Sequence, residues 1–219
     1  MHIPDGLMDP WVFIAGWALA LAALAVALVK VNKNVDERTI PLMALLAAGI
    51  FVAQMLNFPV GGGTSGHLIG AALAVALVGL WPAMIIMTAI VVIQGLLFGD
   101  GGITAMGLNL LNMAVIAPLV AYLIISVAKG NKFSVPVAAW ASVFVAALIC
   151  AAQLALSYVI SNGAYGIDPV LAIPTMAIWH AVIGVGEAII TGGVVLYLAK
   201  VAPETLRLSP KNVIKATEA

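Results

Sequence analysis

Seven long apolar stretches, separated by short polar segments, make up most of the chain. Their approximate bounds are 10–31, 40–57, 68–80, 82–98, 106–128, 134–160 and 172–199. A helix needs about 20 mostly apolar residues to cross the roughly 30 Å hydrocarbon core of a bilayer. The pattern therefore predicts an all-α integral membrane protein with about seven transmembrane helices. The third stretch is short, so a count of six is the alternative. We expect Trp81-Pro82 to divide it from the fourth, because proline interrupts helical hydrogen bonding.

The composition excludes an ordinary water-soluble domain. The 219 residues are 64% hydrophobic and 8% charged, with a mean hydropathy of +1.18, whereas a soluble domain carries about a quarter charged residues. The formal net charge is zero, which gives no reason to expect a nucleic-acid partner. No internal repeat and no Walker A pattern occurs, so we predict a single domain, 1–219, with a soft cytoplasmic tail at about 201–219. Cys150 lies within an apolar run and is expected to pack as a small apolar side chain.

The basic residues predict the orientation of the chain in the membrane. Basic residues concentrate in cytoplasmic loops of membrane proteins. With seven helices and the N-terminus outside, all nine fall on the cytoplasmic side, namely Lys30, Lys33, Arg38, Lys129, Lys132, Lys200, Arg207, Lys211 and Lys215. The outer segments contain no Lys or Arg and carry Asp5, Asp9, Asp100 and Asp168. We therefore predict a multi-pass protein of the plasma membrane with its C-terminus in the cytoplasm.

Three polar segments lie on the outer side, at 1–6, 57–67 and 98–102, and the last two are rich in glycine. Irregular backbone is tolerated at membrane depth only where protein or a water-filled cavity surrounds it. We predict that loop 57–67 folds back into the helix bundle; an ordinary exposed loop is the alternative. The N-terminus lacks the layout of a signal peptide, so Met1 is expected to be the mature start with a free amine. A disordered terminal tail is the alternative there.

His2 is placed where it can chelate a metal ion with main-chain nitrogens. The Met1 amine, the deprotonated His2 amide and the His2 imidazole would offer three nearly coplanar nitrogens, and His67 is the candidate for the fourth. Four nitrogens in a plane suit Ni(II) or Cu(II), whereas a tetrahedral set indicates Zn(II). The predicted metal ligands are therefore Met1, His2 and His67.

Other polar residues are candidates for supporting this site. Asp5 is expected to accept a hydrogen bond from a ligating imidazole, as carboxylates beside metal-bound histidines do. Asn57, Thr64 and Ser65 are placed to hydrogen-bond the loop or an imidazole. Glu187 is the one acid within a predicted span and shares a helical face with His180. Packing or interhelical hydrogen bonding and a role near the metal are both open for these two residues.

The opening MHIPDG and the later NFPVGGGTSGHLIG resemble the NikM/CbiM family, the substrate-capture (S) subunits of energy-coupling-factor transporters for nickel and cobalt. The resemblance covers essentially the whole chain, including Trp179-His180 and residues 183–187. It implies one divalent metal ion as the transported substrate, held by Met1, His2 and His67, and no organic cofactor. Pro4-Asp5 is more typical of the nickel branch, and a cobalt-specific member is the alternative.

The resemblance also implies partners. These are a membrane coupling (T) subunit, cytoplasmic ATPase subunits and a small accessory membrane subunit, separate in this case. The chain itself is then not an enzyme, because ATP hydrolysis occurs on partner chains. A stand-alone channel or secondary permease is the alternative from another functional class. A membrane enzyme is disfavoured because no nucleophile–base grouping is found.

Overall fold

The computed structural model describes residues 1–34, 37, 39–61, 64–128 and 133–207. Several residues used in the predictions lie outside this part of the chain. They are Gly62 and Gly63 of the glycine-rich loop, the tail at 208–219, and the basic residues Arg38, Lys129, Lys132, Lys211 and Lys215.

Helices dominate the described chain. In order, they are α1 (Pro10–Asn34), α2 (Thr39–Gln54), α3 (Ala71–Val78), α4 (Leu80–Leu97), α5 (Met106–Val127), α6 (Ser134–Ile160) and α7 (Pro169–Val201). Strands β1 (Phe58–Val60) and β2 (Thr64–Gly66) lie between α2 and α3, and a short 3-10 turn, Pro203–Thr205, follows α7. Five helices of the described residues, α1 and α4 to α7, are long and apolar enough to cross a membrane; α2 is apolar but shorter. The predicted all-helical framework is thus confirmed in outline.

Gly79, rather than Trp81-Pro82, divides the third helix from the fourth. Gly79 has φ 82° and ψ 178°, a conformation that is accessible to glycine and strained for other residues. Pro82 lies within the first turn of α4, where its missing N–H removes no helical hydrogen bond. The expectation that proline ends the helix was therefore wrong.

Helix α5 contains a π-helical segment at Leu111–Ile116. Such a segment accommodates an extra residue per turn and changes the direction in which side chains project. Within this segment, Asn112 exchanges two amide hydrogen bonds of 2.8 and 2.9 Å with Gln153 of α6. The pair joins α5 to α6 inside the bundle.

Helix α7 is fixed closely against α6. A Cβ atom added at Gly184 would lie 2.8 Å from Trp140 Cδ1, so only glycine allows the two helices to approach this closely. The Trp140 indole N–H donates to the Ala181 carbonyl at 3.1 Å. In contrast to this close contact at a glycine, large apolar side chains cover the outward faces of the helices, as at Trp11, Leu45 and Val170.

The glycine-rich loop forms a β-hairpin beside α7. Strands β1 and β2 pair antiparallel with Phe58 opposite Gly66 and Val60 opposite Thr64. Val60, Thr64 and His67 are buried, whereas Phe58 remains 38% exposed. The hairpin therefore directs the residues around His67 towards the protein interior, where they meet the N-terminal segment.

Candidate metal centre

The first two residues of the chain are buried and held by Ser65. Met1 and His2 expose only 1% and 3% of their surface. The Met1 amine donates to the Ser65 carbonyl and, at 3.0 Å, to the Ser65 hydroxyl, which also accepts from the His2 amide N–H at 3.0 Å. The terminal amine and the adjacent amide therefore converge on one oxygen atom.

Asn109 of α5 anchors the N-terminal segment from the other side. Its side-chain oxygen accepts from the Ile3 N–H at 2.8 Å, and its side-chain nitrogen donates to the Ile3 carbonyl at 3.1 Å. The same carbonyl accepts from the Gly102 N–H at 2.8 Å. The segment is therefore an ordered part of the bundle, in contrast to the alternative of a disordered tail.

Asp5 holds the neighbouring loop rather than an imidazole. Its carboxylate accepts from the Ile103 N–H at 3.0 Å and from the Thr104 N–H and hydroxyl at 2.7 and 2.5 Å. These hydrogen bonds, chiefly that of the Thr104 hydroxyl, lower the pKa of Asp5. The expected position of Asp5 beside a ligating imidazole is not the one observed.

Asp100, rather than Asp5, is the carboxylate that lies beside the His2 imidazole. Its Oδ2 atom lies 3.5 Å from Nε2 of His2 and accepts a hydrogen bond of 2.9 Å from the Asn57 side chain. Burial raises the pKa of Asp100, against the effect of the Asn57 hydrogen bond. Sequence analysis singled out Asn57 but missed Asp100 as its partner, although both residues border glycine-rich loops.

The imidazoles of His2 and His67 lie side by side, with ring centroids 4.8 Å apart and planes inclined by 30°. His67 Nδ1 lies 2.7 Å from the Leu68 carbonyl, which can only accept, so Nδ1 carries the proton. Nε2 of His67 then presents a lone pair. Within the described chain this nitrogen and both ring nitrogens of His2 are buried without a hydrogen-bond partner.

Burial keeps the donor nitrogens of this cluster uncharged. Desolvation lowers the pKa of the Met1 amine from 8.0 to about 5. It also lowers the pKa values of His2 and His67 well below 6.5, with a further contribution from the terminal amine. At neutral pH, three of the predicted donors therefore have free lone pairs, the form that a metal ion requires.

The remaining predicted residues lie around the hairpin. The Thr64 hydroxyl donates to the Met176 sulfur at 3.1 Å, and His180 Nδ1 lies 2.9 Å from the Met176 carbonyl. Glu187 accepts from the Ile69 and Gly70 N–H groups. These side chains of α7 thus support the loop that carries His67.

Among the described residues, no group of three or more His, Cys, Asp or Glu side chains could hold a metal ion. The cluster at Met1 contains two histidines, and its other nitrogens belong to the main chain. Side chains alone therefore do not make up this cluster. Sequence reasoning in turn missed Asn109, because an asparagine within an apolar helix is typical of interhelical packing.

Residues 2–205 match the family model described as the cobalt uptake substrate-specific transmembrane region, CbiM. The chain belongs to the CbiM family. The resemblance found in the sequence is confirmed, and the chain is a membrane component of nickel or cobalt transport.

Individual relatives are similar over 93–100% of this chain. A putative metal transport protein of Haloquadratum walsbyi is 40% identical over 93% of this chain and 92% of its own. The fused nickel transport protein NikMN of Rhodobacter capsulatus is 35% identical over 100% of this chain and 67% of its own. A crystal structure of a transition metal transporter is 39% identical, with a TM-score of 0.87 over 100% of this chain and 98% of that chain.

Replacing Asn109 tests how the N-terminal segment is held. Asn109→Leu should leave the buried Ile3 N–H without its partner, at a cost of about 1–3 kcal/mol. We expect hydrogen exchange at the Ile3 amide to rise roughly tenfold or more, because 1.4 kcal/mol is a factor of ten. Asn112→Leu is the matched control: it breaks the pair with Gln153 on the same helix and should leave exchange at residues 1–6 unchanged. Equal exchange in the two variants would contradict this account.

Proposed function

We propose that this CbiM protein is the substrate-specific membrane subunit of an ATP-driven importer of the energy-coupling-factor type. It binds one Ni(II) ion in a square-planar site of four nitrogens and delivers the ion inward. The observation that carries this proposal is the convergence of the Met1 amine and the His2 amide on one point, beside two uncharged, buried imidazoles.

The spacing of the two imidazoles supports a shared metal ion. With metal–nitrogen distances of about 2.0 Å, two imidazoles bound at adjacent corners of a square have ring centroids roughly 4.5 Å apart. The observed separation is 4.8 Å. The Ser65 hydroxyl occupies the side on which the two main-chain nitrogens converge, so the ion would displace these hydrogen bonds when it binds.

Nickel is the favoured substrate, and cobalt is the alternative. A planar set of nitrogens favours Ni(II) over Co(II). The relatives include a fused nickel transport protein of Rhodobacter capsulatus and a putative cobalt transport protein of Methanocorpusculum labreanum, the latter 33% identical. No organic cofactor takes part in the proposed function.

In the proposed topology, seven helices span or enter the membrane, with the N-terminus and the metal site outside and the C-terminus in the cytoplasm. The hairpin loop folds back into the bundle beneath the outer surface. The position of Arg207 supports this arrangement. The backbone N–H of Arg207 donates to the Ala76 carbonyl near Gly79, at the end of α3 that is remote from His67.

Release of the ion would require His67 to separate from Met1 and His2, and hence a rearrangement of loop 57–67.

The proposed partners are a membrane coupling subunit, cytoplasmic ATPases and a small accessory membrane subunit. Among the relatives, the fused nickel transport protein of Rhodobacter capsulatus is longer than this chain, which covers 67% of it. A stand-alone permease is the competing function.

Nickel uptake into cells should stop when the partner ATPase carries an inactivated Walker A lysine. Undiminished uptake would favour the permease instead.

A titration with Ni(II) tests the metal site directly. Detergent-purified protein with its native N-terminus should bind one ion per chain and give a yellow, diamagnetic complex, since planar four-nitrogen coordination makes Ni(II) low-spin. Three glycines added before Met1 should abolish this complex, because the amine then lies too far from the His2 imidazole to join the same chelate. A single glycine would not serve, since Gly-Met-His offers an amine, two amides and an imidazole that can bind Ni(II) in a plane by themselves. The same three glycines added at the C-terminus are the control. An identical complex in both extended proteins would exclude the terminal amine as a ligand.

The release of protons on binding tests the buried amine. With its pKa lowered to about 5, the Met1 amine is already neutral at pH 7, so the His2 amide alone should lose a proton. We expect about one proton per Ni(II), and binding should tighten about tenfold per pH unit between about pH 6 and 7.5. Below about pH 5 the amine also gains a proton, and the dependence should steepen.

Calorimetry in buffers of different ionisation enthalpy measures this number. A peptide of residues 1–6 is the control, because its exposed amine keeps an ordinary pKa near 8.0 and should release about two protons. Two protons from the intact protein at pH 7 would show that its amine is not held in the neutral form.

A further inference from the structure

Glu187 places a carboxylate inside the bundle, where such a group is costly to bury. Its side chain is 2% exposed. Oε2 accepts from the Ile69 N–H and Oε1 from the Gly70 N–H, each at 2.6 Å. Short, charge-assisted hydrogen bonds of this kind are among the stronger ones in proteins. The carboxylate therefore fixes the turn that immediately follows His67.

One peptide group connects Glu187 to His67. The N–H of Ile69 and the carbonyl of Leu68 belong to the same planar unit. The N–H donates to Glu187, and the carbonyl accepts from Nδ1 of His67 at 2.7 Å. The carboxylate therefore orients the plane of this peptide, and the peptide in turn orients the imidazole and its proton.

The rest of the turn leaves this peptide little freedom. The Gln54 side chain donates to the Ile69 carbonyl at 2.6 Å. Gly70 has φ +79°, and a Cβ atom added there would lie 2.6 Å from Ile50 Cγ2. Helices α2 and α7 thus hold the turn from two sides. A mostly apolar cavity of about 290 Å³ lies between them, lined in part by Gln54, Glu187 and Thr191.

We propose that Glu187 is a positioning residue for the metal site. Through the Leu68–Ile69 peptide, it holds His67 as the tautomer with the proton on Nδ1, so that Nε2 is aimed at the metal ion. Metal-bound histidines commonly donate their second N–H to a carboxylate or a carbonyl. Here the two groups act in series, the carbonyl next to the imidazole and the carboxylate behind it. The inference rests on the proposed function, since it assigns a role within the same site.

The isosteric variant Glu187→Gln tests this role. A glutamine side chain can accept from one of the two N–H groups, but its own NH₂ group faces the other and repels it. We expect Ni(II) to bind at least tenfold more weakly, the size of effect typical of residues behind metal ligands. The d–d absorption should move towards that of His67→Ala, in which a nitrogen ligand is lost.

Two further variants and the metal-free wild-type protein complete the experiment. Thr191→Val changes another polar side chain of the same cavity and should keep the wild-type affinity and spectrum. Glu187→Asp keeps the charge on a shorter side chain and should bind Ni(II) with intermediate affinity. In metal-free wild-type protein, the ¹⁵N shifts of His67 should report a single tautomer protonated on Nδ1, a measurement that does not depend on the folding of any variant.

The outcomes separate this inference from the function on which it rests. If the wild-type protein forms no planar four-nitrogen complex, the proposed function fails. If it does, and Glu187→Gln lowers the thermal midpoint while affinity and spectrum stay unchanged, Glu187 is structural only and the inference is overturned. A mixture of His67 tautomers in the wild-type protein would overturn it as well.

Discussion

The buried amine of Met1 is the constraint on which the centre depends. Burial lowers the pKa of this amine to about 5, so that it is uncharged at neutral pH. The neutral amine retains hydrogen-bond partners in Ser65 and a lone pair that a metal ion can take. The same burial keeps both imidazoles neutral. Desolvation is the largest of the causes that lower these three pKa values, and it thus prepares three of the four proposed donors.

The donors come from two distant parts of the chain, and each part has its own anchors. Asn109 of α5 and the loop at 98–104 hold the first residues. Helix α7 holds the segment around His67 through Met176 and Glu187. In the part of the chain that the structure describes, the hydrogen bonds of Ser65, the hydrogen bond from Asn57 to Asp100 and the contact between the two imidazoles join the two parts. The centre therefore lies on the boundary between separately anchored elements, where relative motion would change it most.

Much of the architecture could be predicted from the sequence, because long apolar runs have few alternatives to helices. The runs at 106–128 and 134–160 closely match the observed helices. The pairing of His2 with His67 could also be predicted. The Met1 amine, the His2 amide and the His2 imidazole are neighbours in the sequence, so their metal chemistry can be recognised there. The break at Gly79 could not be predicted. The sequence shows directly where a proline lies, but it does not show which glycine must adopt a positive φ.

The partners of the polar side chains were harder to predict than the ligands. Asp5 and Asp100 are both acids in short outer segments, and sequence spacing does not show which one meets the imidazole. That choice depends on how the 98–104 loop packs. A Cβ atom added at Gly102 would lie 2.2 Å from the Asp5 nitrogen, so the backbones touch there and Asp5 is directed to Thr104. Such tertiary packing has no local pattern in the sequence.

The centre lies close to one end of α4. Helices α3 and α4 meet at Gly79, and their 8 and 18 residues correspond to lengths of roughly 12 and 27 Å. Asp100, whose carboxylate lies 3.5 Å from the His2 imidazole, follows Leu97 at the end of α4 that is remote from Gly79. In the proposed orientation, the ion would be held near the outer face, with most of the length of α4 between it and the cytoplasm. The capture step would then perform little of the crossing, and the partners would need to open a path along most of the bundle.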